Sequence, residues 1–135
     1  MKNMKALLTK SVIAFIVITG FQCAAAAIAP IFIPLIAAKT WTNVSDDNNT
    51  FFFRDITDST NVSPFNGNEN LPDGEQASFT GRFENHDIEF TYSSNTDVRR
   101  AGKTYKGRVN DASNEITLKG TDATDPLPAI TLIAQ

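Results

Sequence analysis

A single histidine, His86, stands among acids, with Glu84, Asp87 and Glu89 all within three residues of it. Histidine titrates at about pH 6.5 and serves as a general base, and two carboxylates held about 5 to 9.5 Å apart across a cleft hydrolyse glycosides. A hydrolase built on Glu84, His86, Asp87 and Glu89 is therefore the catalytic alternative. Against it, His86 falls in the corner of an expected hairpin and no Ser-His-Asp ordering surrounds it. Cys23, the only cysteine, lies in a leader that export removes, so no mature thiol remains as a nucleophile. Glu84 and Asp87 flank the turn and Glu89 opposes Arg82, which makes them surface charge. The chain reads as a non-enzyme with no catalytic residue and no cofactor.

Metal chemistry has one candidate. One histidine and no mature cysteine do not supply the usual nitrogen and sulfur ligands of zinc. Calcium prefers oxygen ligands, and Asn66, Asn68 and Asn70, followed by Asp73, place oxygen side chains at near-alternate positions. In an EF-hand register, however, Leu71 takes the place of the sixth-position glycine and Ala77 that of the closing glutamate. A polar loop is the preferred reading.

The third constellation is basic. Arg99, Arg100, Lys103, Lys106 and Arg108 gather around Tyr105 in an otherwise acidic chain. They are the candidate ligand- or partner-binding residues, suited to a phosphate, an acidic polysaccharide or an acidic protein surface. The competing reading makes Lys106 and Arg108 the solvent face of a strand whose Tyr105, Gly107 and Val109 point inward.

The elements that would carry these residues are strands. Beyond the leader no stretch repeats apolar residues at helical spacing, whereas period-two alternation recurs between turn residues. The clearest unit is Ser78 to Phe83, the corner Glu84-Asn85-His86-Asp87, then Ile88 to Tyr92. With Asn85-His86 as a two-residue turn, Phe83 faces Ile88, Arg82 faces Glu89, Gly81 faces Phe90 and Phe79 faces Tyr92. That register puts the aromatics on one face, and slipping it by one residue destroys the agreement. The plan repeats 26 residues later as Tyr105 to Val109, a loop at Asn110 to Asn114, and Glu115 to Leu118. Further strands are expected at Thr40 to Val44, at Thr50 to Asp55 after a turn over Ser45 to Asn49, and at Ala129 to Ala134. Thr57 to Gln76, rich in Asn, Asp, Gly, Pro and Ser, reads as one long connection. In the run Phe51-Phe52-Phe53, Phe52 is the ring that must face the other way.

About seven to eight short strands in sequential hairpins give an all-β antiparallel meander, closed into a small barrel or stacked as a sandwich. The early Trp41 that opens the first strand, followed by aromatic-x-Gly-x-aromatic strands, resembles small bacterial lipocalin-like (calycin) proteins over roughly Thr40 to Ala134. Lys39 stands where the glycine of the Gly-x-Trp signature would be, and no ligand contacts carry over. The resemblance implies a barrel that binds something small and apolar or acts as an inhibitor.

The N-terminus differs sharply from this body. Lys2, Lys5 and Lys10 precede a stretch, Ser11 to Ala38, in which 22 of 28 residues are apolar. A basic start, the apolar run Val12 to Thr19 and the small residues Ala24 to Ala27 make residues 1–27 a secretory signal peptide. The alternatives are acylation of Cys23 and a retained membrane helix, which Pro30 and Pro34 would interrupt. Residues 28–38 then form an apolar N-terminal segment that must add a strand, plug a cavity, or dock on a partner or membrane. Residues 39–135 form the single β domain.

After the leader, nine basic residues face fifteen acidic ones, which argues against binding nucleic acid or anionic lipid surfaces. Asn43, Asn48 and Asn61 sit in glycosylation acceptor triplets, relevant to a eukaryotic secretory route. Only about 30% of residues 39–135 are apolar, against the usual roughly 45 to 50%, so the core is small and a large empty cavity would strain its stability. The expected function is that of an exported non-catalytic binding protein, secreted or periplasmic, holding a small apolar ligand or, preferably, blocking a protein partner. The alternative is an envelope-associated structural or adhesive subunit that docks through residues 28–38.

Overall fold

The computed structural model describes residues 35–54 and 62–135. The leader, most of the apolar segment and Asn61 therefore lie outside the described residues. Within them the chain is all-β, as expected. Eight strands follow one another: β1 (Thr40–Asn43), β2 (Asp46–Arg54), β3 (Val62–Asn70), β4 (Gln76–Glu84), β5 (Asp87–Tyr92), β6 (Thr104–Val109), β7 (Glu115–Gly120) and β8 (Ile130–Ala134). Each pairs antiparallel with the next, and β1 pairs with β8, which closes the meander into a barrel. Closure leaves no unpaired edge.

The β4–β5 hairpin takes the register that side-chain type demands: Phe83↔Ile88, Arg82↔Glu89, Gly81↔Phe90 and Phe79↔Tyr92. Asn85, at φ 52°, supplies the left-handed residue of the two-residue turn. In the second hairpin β6 ends at Val109 and β7 starts at Glu115, so the loop is residues 110–114. The twelve large side chains that alternation turns inward, Trp41, Phe51, Phe53, Phe79, Phe83, Ile88, Phe90, Tyr92, Tyr105, Val109, Ile116 and Leu118, are all buried.

Two boundaries differ from expectation. The segment 57–76 is not one connection, because β3 runs through Val62–Asn70. Its inward positions are Phe65, Gly67 and Glu69, while Pro64, Asn66, Asn68 and Asn70 point outward. Turn-forming residues on the wet face and a glycine and an acid on the dry one hide the alternation. Strand β2 starts at Asp46 instead of Thr50, after the turn Val44-Ser45, and its pairing with β1 shifts register between Thr42 and Asn43. Asn43 and Asn49 turn inward there and bond each other, Asn43 Nδ2 donating to Asn49 Oδ1 at 3.0 Å, so polar residues extend the strand by satisfying one another.

The interior is built of rings fitted around glycines. Gly67 lies between Phe53 and Phe79, and Gly81 between Phe65 and Phe90, on their flanking strands. A Cβ at Gly81 would sit 2.2 Å from the Glu89 carbonyl oxygen, and one at Gly67 2.2 Å from that of Phe52. Only glycine lets the neighbouring backbone come so near, and the space it vacates is filled by the opposing rings.

An up-and-down barrel puts alternate connections at opposite ends. The β4–β5 and β6–β7 connections share one end with the chain entering at Leu35. There Ile36 is wholly buried in the core, Trp41 Nε1 donates to its carbonyl at 2.9 Å, and Lys39 Nζ and the Leu35 amide bond Ser113. The β1–β2, β3–β4, β5–β6 and β7–β8 connections share the other end, covered by Leu71 and Leu127.

Candidate functional site

At the second end a carboxylate lies inside the barrel. Glu69, completely buried, projects inward from β3 because it continues the alternation of Phe65 and Gly67. Its Oε1 accepts from Asn49 Nδ2 at 2.7 Å and from Arg100 Nη2 at 3.0 Å. Its Oε2 accepts from Tyr92 Oη at 2.5 Å and from Arg100 Nε at 2.9 Å. Asn49 Nδ2 also donates to the Asn70 carbonyl at 3.1 Å. Among the described residues no buried side-chain polar atom lacks a partner, as a buried ion pair requires if it is not to cost several kcal/mol.

Burial, with the Glu69 charge beside it, pushes the Tyr92 hydroxyl well above its ordinary range. Burial works to lower the Arg100 guanidinium, but its bonds to Glu69 outweigh that and hold it above the usual value. The phenol therefore stays protonated as a donor, and the guanidinium stays charged.

Arg100 belongs to the β5–β6 connection, so the buried acid anchors a surface loop. The loop is braced again on its outside. The Arg99 guanidinium bonds both oxygens of Asp97 at 2.8 Å and reaches Asp73 at 2.8 Å, in the β3–β4 turn. The bond from Arg99 depresses the Asp97 carboxyl to about 2, and Arg99 lowers Asp73 as well. The amides of Arg100 and Ala101 both donate to the Asp97 carbonyl at 2.9 Å. Between these fixed residues Val98 stands 88% exposed, and Val44, on the β1–β2 turn at the same end, is 60% exposed.

The six residues of the predicted basic cluster are thus separated. Arg100 is drawn inward, Arg99 ties two loops, and Lys103 pairs with Asp125 of the β7–β8 connection at 2.5 Å. Tyr105 is buried, donating to the Pro128 carbonyl at 3.0 Å. Lys106 and Arg108 lie on the outer wall, with Glu89 at 3.5 Å and Asp87 at 2.8 Å. Every cation of the cluster faces a carboxylate, so the group is a set of ion pairs spanning one end and one wall, not an open basic surface.

Glu84, Asp87 and Glu89 project from the outer wall of β4 and β5, and His86 sits in the turn with Nε2 2.7 Å from Asp111 Oδ1 across the β6–β7 loop. The calcium candidates fall on a strand. Asn66, Asn68 and Asn70 line up along the outer face of β3, at about 7 Å intervals as any alternate strand residues must, and Asp73 is engaged by Arg99. No group of three or more His, Cys, Asp or Glu positioned for a metal occurs among the described residues. Of the acceptor triplets, Asn43 is buried and Asn48 exposed.

Sequence reasoning missed Glu69, Asn49 and Asp97, and it singled out Asp73 only as a calcium candidate, not as the partner of Arg99. A signal for the first existed: Phe65-Asn66-Gly67 repeats the aromatic-x-Gly of Phe79-Thr80-Gly81 and Tyr105-Lys106-Gly107, and it places Glu69 on the inward parity. No model of a known protein family, no curated protein and no solved structure matches the chain.

Proposed function

We propose that this chain is an exported, non-catalytic binding protein that engages a protein partner with the loops around Val98. The observation that carries the reading is the packed interior. Phe79 and Phe90 approach to 4.3 Å between ring centroids, further rings contact them at 5.5 to 6.5 Å, and Ile36 and Leu127 close the two ends. A barrel filled by its own rings leaves binding to its exterior.

At that exterior, Val98 is an apolar tip whose loop is fixed from within by Arg100 and from outside by Arg99. Such a loop surrenders little conformational entropy on docking. Kinship with lipocalin-like proteins belongs to the same proposal, supported by the eight-stranded closed meander, with blocking of a partner in place of ligand carriage. Export rests on the leader alone.

A photo-crosslinking residue at position 98, introduced in the producing cell, tests the reading. The expected result is one defined protein adduct, absent when the same residue stands at Thr117 on the wall. Equal adducts at both positions, or a stoichiometric apolar small molecule in the native mass spectrum, would overturn it.

A further inference from the structure

The negative charge of the barrel is gathered at the Val98 end. Asp46 and Asp47 open β2 beside the β1–β2 turn, Asp73 and Glu75 lie in the β3–β4 turn, and Asp97 is in the β5–β6 connection. Asp122 and Asp125 come from the β7–β8 connection, so every connection at this end contributes acid. Arg100 is cancelled by Glu69, and the cations left are Arg99 and Lys103. Seven carboxylates thus face two cations. The walls and the opposite end are balanced, with five carboxylates and six cations among the described residues.

Both cations are already committed, Arg99 to Asp73 and Asp97 and Lys103 to Asp125. Asp46, Asp47, Glu75 and Asp122 have no cation in ion-pair contact among the described residues. Several of the acids are aimed by their own backbone. Asp46 Oδ1 accepts from the Asn48 amide at 3.0 Å, Asp73 Oδ1 from the Glu75 amide at 3.2 Å, and Asp122 Oδ1 from the Thr124 amide at 3.0 Å. Amid them stand Val98 and Val44, the large apolar side chains that this end exposes. Net charge for solubility alone would serve as well spread over the whole surface. Here it is collected on one end, around apolar tips, where like charges repel one another and a complementary surface would relieve both the repulsion and the exposure.

We propose that this end docks on a basic protein surface, whose lysines and arginines meet the acids of the four connections while an apolar patch covers Val98 and Val44. The inference rests on the protein-partner reading and adds the chemistry of the partner. The same charge turns other occupants away from this end. A second copy brought end to end would set acid against acid, and nucleic acids and acidic polysaccharides are repelled alike. Arg99 and Lys103, which in the sequence read as contacts for an anion, are here outnumbered by carboxylates.

The test uses the full chain in its producing cell, with the photo-crosslinking residue at position 98. Asp47→Lys combined with Glu75→Lys reverses two exposed carboxylates at this end, and the adduct yield is expected to fall about tenfold or more. Glu84→Lys combined with Glu115→Lys makes the same change of net charge at the opposite end and should leave the yield unchanged. In cell extract the yield of the unsubstituted loops should also fall when salt is raised from about 0.05 M to about 0.5 M. The crosslinked peptide of the partner should lie in a region rich in Lys and Arg. A defined adduct whose yield ignores both the Asp47→Lys, Glu75→Lys change and the salt, or an adduct with a second copy of this chain, overturns the inference while leaving a protein partner at Val98. Absence of an adduct in every variant removes the protein-partner reading, and this inference with it.

Discussion

The rings of Phe79 and Phe90 lie 4.3 Å apart and 31° from parallel because glycine stands opposite each of them, Gly67 across from Phe79 and Gly81 across from Phe90. On their other flanks the rings face Tyr92 and Tyr105, and a side chain at either glycine would meet the phenylalanine across from it at 2.5 Å. The barrel core is therefore specified by where side chains are missing as much as by where they are large.

Gly81→Ala tests that relationship. The added methyl would meet the Glu89 carbonyl oxygen at 2.2 Å and the Phe90 Cβ at 2.5 Å, both held by the β4–β5 ladder. A loss of about 3 kcal/mol is expected in denaturant melts, at the upper end for overpacking. Thr80→Ala, one residue away and outward, should stay within about 0.5 kcal/mol. Equal stability of the two would remove the steric account.

Ile36 is the second test. It is buried in the end opposite Val98, and its carbonyl accepts from Trp41, the sole tryptophan. Ile36→Ala should cost about 2 to 5 kcal/mol and shift the Trp41 emission to the red as water reaches that end. An unchanged melt and spectrum would show that the residue only lies on the barrel and does not complete it.

Much of this architecture was legible in the residues themselves, and the reason is local. In β4 and β5 every inward position is apolar or glycine, and every outward position polar, so one register satisfies all of them. The failures occur where that division breaks. In β3 the inward Glu69 looks like surface, and in β2 the inward Asn49 looks like turn, because a buried polar side chain is intelligible only with its partners. Those partners, Tyr92 and Arg100, are 23 and 31 residues away from Glu69 in sequence. The basic cluster shows the same limit: adjacency in sequence says nothing of the acids that the barrel brings opposite, such as Asp125 to Lys103.

Glu69→Gln follows from that cluster. The amide keeps the shape but leaves the partly buried Arg100 guanidinium without its counter-charge, which is expected to cost about 2 to 3 kcal/mol, below the range for a fully buried pair. The loop carrying Val98 should also lose hydrogen-exchange protection at the Arg100 and Ala101 amides. In the double variant Glu69→Gln, Arg100→Met the loss should be smaller than the sum of the single losses, because no unpaired charge remains. Additive losses would mean that the two side chains are not energetically coupled.

The two tyrosines give the last prediction, in alkali. Burial pushes the Tyr105 hydroxyl up to about 12 from its ordinary 10.0, and burial together with the Glu69 charge holds Tyr92 well above that ordinary value too. In each case the folded state favours the neutral phenol. The associated stability is complete below pH 10, where folded and unfolded chains alike keep their protons. It is lost as the pH climbs from 10 toward 12, because only the unfolded chain releases them. With no other tyrosines in the chain, tyrosinate absorbance reports these two alone. It should stay low at pH 10 and then rise together with the loss of the β-sheet circular dichroism, in one cooperative step. A tyrosine ionising near pH 10 while the sheet signal holds would mean that its hydroxyl is in water, and for Tyr92 that the Glu69 cluster does not form.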